Sequence, residues 1–226
     1  MIAIYKYSEI QDTLREHFEK RYKRKDVNIT GVLIARPETK ATKEEIIPHL
    51  DYWHYRSDYY TEFFCVGYTP KRPDDDPTAQ PVARVGRKQW YFSSQAFSEV
   101  LDEIERQTKW RYDSKAYLII TNSRYDRVAN EARLDFSGAM VIDIGDAVKH
   151  EAIASASQLA DGLFEFAKHL NENTRDPVWE FSDKQGFRVL RRSLRDYLIQ
   201  RLPKYLRQPT RQAIHFVARD LKAKAA

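Results

Sequence analysis

The residues with the clearest chemical potential are arginines near the C-terminus of the chain. From Gly186 onward the sequence has eleven Lys and Arg against two acids, a formal charge of +9, whereas the whole chain totals +5. The residues before Gly186 therefore sum to −4, so a mildly acidic body carries a basic end piece. This asymmetry indicates a polyanionic partner.

Five of these arginines are the predicted contacts. Arginine binds phosphate through a planar guanidinium that can donate two parallel hydrogen bonds, which a lysine ammonium does less well. Arg188, Arg192 and Arg195 follow one another at i, i+4 and i+7, so a helix would present them on one stripe. We therefore predict that DNA or RNA phosphates are bound by five side chains of this region. They are Arg188, Arg192, Arg195, Arg207 and Arg211.

Other partners remain open for the same side chains. The arginines could form ion pairs with the acidic residues of the chain itself. They could also bind an acidic protein partner, and the protein would then be an adaptor. The sequence contains no helix-turn-helix, zinc-finger or aromatic RNA-binding signature that would decide between nucleic acid and protein. We expect no membrane partner, since no stretch approaches the roughly 18 apolar residues of a membrane span.

A second group of candidates consists of polar residues at the ends of predicted strands. Glu38, Asn122, Arg124 and Asp143 have this placement. Ligands of a parallel sheet gather outside the carboxyl ends of its strands, where carboxylates serve as acid, base or Mg²⁺ ligands. The alternative function is thus an enzyme acting on nucleotides or nucleic acid, a hydrolase or nuclease, with Mg²⁺ as its cofactor. The same residue types also occur where strands simply turn.

Other familiar chemistries are not indicated. His49 and His54 are five residues apart and would face different ways on a helix, so we predict no metal site. The sequence has no glycine-rich phosphate loop, and we expect no nucleotide cofactor bound in that way. Cys65 lies in an apolar run without a basic neighbour and is expected to be an inert thiol.

Strands and helices alternate along most of the chain, which is the pattern of an α/β domain. Apolar runs rich in β-branched and aromatic residues predict strands at Ile29–Ala35, Thr61–Tyr68, Trp90–Phe92, Ala116–Thr121 and Leu134–Ile144. Helical periodicity and capping signals predict helices at Ser8–Lys25, Thr42–Arg56, after Ser93 or Ser94, and at Asp146–Leu170. Proline is tolerated only in the first turn of a helix, so Pro48 means that the second helix either starts nearer Ile46 or is kinked. We predict a central sheet, mostly parallel or mixed, flanked by helices. Two of its strands, Trp90–Phe92 and Leu134–Ile144, are candidates for antiparallel pairing.

The chain is predicted to divide after residue 174. Residues 1–174 would form the α/β domain with its N-terminal helix, and residues 175–226 the basic C-terminal helical extension. A capping box at Ser182 predicts the start of the first helix of the extension. Pro209 suits the first turn of a last helix, whose apolar side would extend to Leu221.

Composition indicates a folded protein of a reducing compartment. Hydrophobic residues make up 42% of the chain and aromatic residues 13%, which excludes wholesale disorder. One cysteine cannot form an internal disulfide. The first residues lack the apolar stretch of a secretory signal, so we expect a cytoplasmic protein.

Overall fold

A mixed five-stranded sheet forms the centre of the fold, and a three-stranded sheet accompanies it. The computed structural model describes residues 2–56, 60–73, 76–85, 88–185 and 214–223. Its strands are β1 (Ile2–Ile4), β2 (Val27–Ile34), β3 (Glu62–Val66), β4 (Tyr68–Thr69), β5 (Gln80–Val85), β6 (Lys88–Phe92), β7 (Tyr117–Asp126) and β8 (Glu131–Asp143). The larger sheet has the order β1-β3-β2-β7-β8, and the smaller has the order β4-β6-β5.

Parallel and antiparallel pairing divide the larger sheet into two halves. β3 pairs in parallel with β1 and β2, whereas β7 pairs antiparallel with β2 and β8. The connection between β7 and β8, residues 127–130, is short and therefore requires these strands to be antiparallel, because a parallel pair needs a long crossover connection. The predicted α/β fold is confirmed, and its sheet is mixed. The two candidates for antiparallel pairing, Trp90–Phe92 and Leu134–Ile144, correspond to β6 and β8 and do pair antiparallel. The placement of Trp90–Phe92 in the central sheet is wrong, because β6 belongs to the smaller sheet.

Helices pack against the larger sheet. They are α1 (Tyr7–Lys20), α2 (Leu50–Arg56), α3 (Ser94–Gln107), α4 (Ile144–Lys149), α5 (Ala156–Lys168) and a helix over residues 177–185. α1 contacts β7 and β8 through a buried stripe of Ile10, Leu14 and Phe18, which follows the predicted fourfold spacing. α3 contacts β3 and α5 contacts β2. Within the described residues, no helix combines the length and the apolar composition that a membrane crossing requires.

Three predicted elements are divided in the structure. The helix predicted over Thr42–Arg56 consists of a π-helical turn, Thr42–Ile46, a 3-10 turn, Ile47–His49, and then α2, and Pro48 lies in the 3-10 turn. The helix predicted over Asp146–Leu170 is wrong as one unit, because α4 ends at Lys149 and α5 begins at Ala156. Glu151 between them has φ of +57°, and Ser155 caps α5 by accepting the Gln158 N–H at 3.1 Å. The strand predicted over Thr61–Tyr68 is likewise split into β3 and β4. Gly67 lies at the break with φ of +79°, a conformation that glycine adopts without strain.

The described end of the chain returns to β8. The Arg219 N–H donates to the Ala139 carbonyl oxygen at 2.8 Å, and the Ala139 N–H donates to the Arg219 carbonyl oxygen at 2.9 Å. An isolated β-bridge joins Lys222 to Thr108, just after α3. These residues follow a short 3-10 turn, Ile214–Phe216, so the helix predicted as far as Leu221 is wrong in this part. β8 is the last strand of the larger sheet, and the returning segment therefore covers part of its open edge.

The helix over residues 177–185 begins earlier than its capping signal predicts. Ser182 lies inside this helix and not at its start. Its hydroxyl donates to the carbonyl oxygen of Phe216 and so ties the helix to the returning segment. Val178, Phe181 and Phe216 are buried, which shows that both pieces pack on the core. The division of the chain after residue 174 stays a prediction.

Candidate functional site

The four strand-end candidates lie at opposite ends of the larger sheet. Glu38 follows β2 and Asp143 ends β8, at the end of the sheet where both strands finish. Asn122 and Arg124 lie toward the other end, because β7 runs antiparallel to β2. Residues 117 and 124 on this strand are about 23 Å apart at about 3.3 Å per residue. The structure therefore brings Glu38 and Asp143 to one edge and separates them from Asn122 and Arg124.

Asn122 and Arg124 have partners that give them structural roles. Asn122 is buried, donates from Nδ2 to Asp176 at 2.8 Å, and accepts the Val178 N–H at 3.0 Å. Arg124 forms an ion pair with the buried carboxylate of Asp135 on the neighbouring strand. Both side chains are therefore already used in holding the fold together.

A cleft of about 300 Å³ lies at the end of the sheet that carries Asp143. Asp143 accepts the Asp146 N–H at 2.9 Å and thereby caps α4. Its other oxygen lies 3.0 Å from Lys115 Nζ, and this carboxylate raises the pKa of Lys115 above its usual range. Lys149 also lines the cleft, so it holds two cations beside the carboxylates of Asp143 and Asp146.

Asp146 also belongs to a cluster of three metal-ligating side chains beside this cleft. One ligand atom from each of Asp146, His150 and His215 lies within 4.8 Å of the other two. His215 is the least exposed of the three, at 10% of its side-chain surface. Burial lowers the pKa of His215, and the nearby carboxylate of Asp146 opposes this effect. The sequence carries one signal for this cluster, the i, i+4 spacing of Asp146 and His150.

A basic pocket of about 460 Å³ lies at the opposite end of the sheet, where β2 begins. It is formed by the turn that follows α1, by the end of α5 and by Tyr60 before β3. Five cationic side chains and one carboxylate line it. The cations are Arg21, Lys23, Arg24, Lys25 and Lys168, and the carboxylate is Glu172.

Arg127 forms three hydrogen bonds to the turn that carries most of these cations. Arg127 Nη2 donates to the carbonyl oxygens of Lys23 and Lys25, at 2.9 and 3.1 Å, and Arg127 Nε donates to the Asp26 carboxylate at 2.6 Å. Lys25 donates from Nζ to the carbonyl oxygen of Leu170 at 3.2 Å. Burial lowers the pKa of Lys25, which is therefore the least solvated cation of the pocket.

Tyr22 is the buried aromatic side chain in the lining of the basic pocket. The hydroxyl of Tyr22 donates to the buried carboxylate of Glu62 at 2.9 Å, and His17 contacts the same oxygen. Burial, followed by the charge of Glu62, raises the pKa of Tyr22 far above its usual range. Tyr22 therefore stays protonated, and the charge of the pocket comes from the side chains around it.

The sequence indicated only part of this arrangement. The run Lys20–Lys25 is visibly basic, but it also suits an ordinary helix end, because cations complement the negative end of the helix dipole. Its convergence with Lys168 depends on how α5 packs, which no local pattern reports. The five arginines predicted to bind phosphate, Arg188, Arg192, Arg195, Arg207 and Arg211, lie outside the described residues.

Comparison with known proteins adds no assignment to these two ends of the sheet. No family model matches the sequence, and neither a curated protein nor a solved structure was found to match. Function must therefore be argued from the charges and distances of the sites themselves.

Proposed function

We propose that this protein binds nucleic acid through the phosphate backbone. The observation that supports it is the basic pocket, where five cationic side chains surround a cavity that has one carboxylate in its lining. Phosphate contacts by lysine and arginine supply most of the affinity of sequence-independent nucleic-acid binding. Within the described residues the pocket is the proposed contact surface. The arginines predicted from the sequence are proposed as further phosphate contacts, namely Arg188, Arg192, Arg195, Arg207 and Arg211.

Lys23 and Arg24 are the side chains best placed to meet a phosphate. Both are exposed, and neither side chain has an ion pair or hydrogen bond to another of the described residues. An ammonium and a guanidinium in this state give up no internal partner when they bind, so the gain from a new charge-assisted hydrogen bond is not offset. The fixed backbone of their turn also lowers the entropy lost on binding.

The basic pocket favours nucleic acid over an active site for nucleotides. The four strand-end residues that would form that active site are distributed over two ends of the sheet. An acidic protein partner would meet the same cations, but a continuous run of phosphates offers the denser negative charge, one per about 1.7 Å of duplex axis. The acidic protein is therefore treated as an outcome of the test.

Fluorescence anisotropy with labelled single-stranded and duplex DNA and RNA, at about 50 and 200 mM salt, tests the proposal. Five phosphate contacts on duplex DNA would give a salt slope of about −4.5, so affinity would fall by about 500-fold between the two salt concentrations. The double variant K23A/R24A should reduce the slope by about 1.8, or 0.9 per lost contact. A triple variant, R188A/R192A/R195A, tests the predicted arginines in the same assay.

K40A/K43A is the matched control, because it also removes two exposed cations. Lys40 and Lys43 follow the end of β2, whereas Lys23 and Arg24 precede its beginning. The control should bind like the unaltered protein. Absence of binding at the lower salt concentration, or equal losses in K23A/R24A and K40A/K43A, would overturn the proposal. Capture of an acidic protein by the unaltered chain but not by K23A/R24A, with no nucleic-acid binding, would establish the adaptor alternative.

A further inference from the structure

Three side chains from two distant parts of the sequence meet beside the cleft at the end of β8. We propose that Asp146, His150 and His215 bind one divalent transition-metal ion, and that Zn²⁺ is the ion their chemistry fits best. His150 follows Asp146 by one turn of α4, and His215 comes from the segment that returns along β8.

Distances among the ligand atoms fit a tetrahedral ion. Zn²⁺ lies about 2.0–2.2 Å from nitrogen and oxygen ligands, which places two ligands of a tetrahedron about 3.3 Å apart. Asp146 Oδ2 lies 3.4 Å from His150 Nδ1 and 3.9 Å from His215 Nε2. Both histidines therefore point a ring nitrogen toward the same carboxylate oxygen. The two histidine nitrogens lie within 4.8 Å of each other, so the three ligand atoms surround a space of the size of one ion.

The donor set selects the class of ion. Imidazole nitrogens suit Zn²⁺ and other first-row transition metals, whereas Mg²⁺ and Ca²⁺ take oxygen ligands. Two imidazoles and one carboxylate are a ligand set that catalytic zinc sites use. We therefore expect that Mg²⁺ and Ca²⁺ do not compete for this site.

Hydrogen bonds order the main chain that carries the three ligands. The Asp146 N–H donates to the Asp143 carboxylate at 2.9 Å, and the His150 N–H donates to the Asp146 carbonyl oxygen at 3.0 Å. His215 precedes Phe216, which is buried and whose carbonyl oxygen accepts the hydroxyl of Ser182. The backbone at all three positions is therefore fixed before an ion binds.

The proposed ion would lie beside the cleft, because Asp146 also lines it. Three protein ligands would leave one coordination position for water or for an anion. Ion binding would also join α4 to the returning segment of the chain, because it needs ligands from both.

The chain offers a matched control for this site. His169 forms an i, i+4 pair with Glu165 at 2.9 Å, as His150 does with Asp146. No third metal ligand lies near that pair among the described residues. A single histidine–carboxylate pair binds Zn²⁺ weakly, so H169A should leave tight binding unchanged.

Isothermal titration of the chelator-treated full chain with Zn²⁺ at about pH 7.5 tests the proposal. We expect one ion per chain, at least a tenfold loss of affinity in H150A, H215A and D146N, and no loss in H169A. Co²⁺ should give the visible absorption of a tetrahedral site, and H150A should remove it. Thermal unfolding in chelator shows whether each variant folds, and H150A alters an exposed side chain.

Three results would overturn the metal site. The first is no Zn²⁺ binding by the unaltered chain, which would leave the three side chains as an ion-pair cluster only. The second is a folded H150A variant that binds Zn²⁺ with the same stoichiometry and affinity as the unaltered chain. The third is an equal loss in H169A, which would mean that histidines bind the ion nonspecifically. The outcome does not depend on nucleic-acid binding, since the basic pocket lies at the other end of the sheet.

Discussion

The side-chain amide of Asn122 and the carboxylate of Asp176 are joined at 2.8 Å, and together they cap the helix over residues 177–185. Asp176 accepts the Trp179 N–H at 3.1 Å, and Asn122 accepts the Val178 N–H at 3.0 Å. Two N–H groups of the first helical turn are thereby satisfied from two different parts of the chain. Asn122, which the sequence suggested as an active-site residue, thus helps to fix where this distant helix begins.

Replacement of Asn122 by Ala should lower the free energy of unfolding by about 2–3 kcal/mol, because it leaves the buried Val178 N–H without a partner. N122D should be at least as damaging at neutral pH, since it places a second carboxylate against Asp176. Urea denaturation measures both effects. Asn173 is exposed, and N173A is the control, with an expected change below about 0.5 kcal/mol. Equal stability of N122A and N173A would contradict the role of the amide.

Asp135 should give the protein a specific sensitivity to acid. Its carboxylate is 6% exposed and pairs with Arg124 and, at 3.1 Å, with Lys222. Burial disfavours the charged form, but hydrogen bonds from Arg124, Ser137 and Lys222 outweigh it and hold the pKa of Asp135 well below its usual range. A folded-state pKa below the unfolded one stabilises the fold above about pH 4, and this contribution is lost as the pH falls further.

D135N should therefore destabilise the protein at pH 7 by about 1–3 kcal/mol, since it leaves two cations without their carboxylate. The difference between D135N and the unaltered protein should narrow as the pH falls from about 4 to about 2, because the Asp135 carboxyl takes up a proton there in the unfolded chain but not in the folded one. Urea titrations at pH 7, 4 and 2.5 would show this narrowing. A difference that stays constant over the range would mean that the Asp135 charge contributes nothing to stability.

Gly31 in β2 tests how closely the larger sheet is packed against α5. A Cβ at this position would lie 2.7 Å from Phe63 Cδ2 and 3.1 Å from Leu163 Cδ2. G31A should cost about 1–3 kcal/mol, because both neighbours are buried and have little room to move. G138A is the same substitution in β8, where the nearest atom would be 3.6 Å away, and it should be tolerated. Equal melting temperatures for G31A and G138A would argue against this close approach.

Local signals predicted several elements well. α3 begins where a serine cap precedes apolar residues at helical spacing, and the structure identifies Ser93 as the cap, because its Oγ accepts the Ala96 N–H at 3.1 Å. Buried strands such as β3 were also visible as apolar runs. In these cases propensity, capping and burial all favour the same structure, so a short window of sequence is sufficient.

Long-range relationships account for the differences. The strand-end hypothesis needed β7 to run parallel to β2, and strand direction depends on connections that a short window does not contain. Neither candidate site is local in sequence. The basic pocket needs Lys168 beside the run that follows α1, and the metal ligands need His215 beside α4. Composition suggested basic contacts, but only tertiary packing determines which side chains converge.

The pairing of Arg219 with Ala139 has a consequence for how the protein behaves in concentrated solution. The free N–H and carbonyl groups of an unpaired strand edge are a template on which a second chain can add a strand. Removal of the described residues from Arg219 onward would uncover this part of β8. The shortened protein should therefore aggregate more readily than the unaltered chain as its concentration rises.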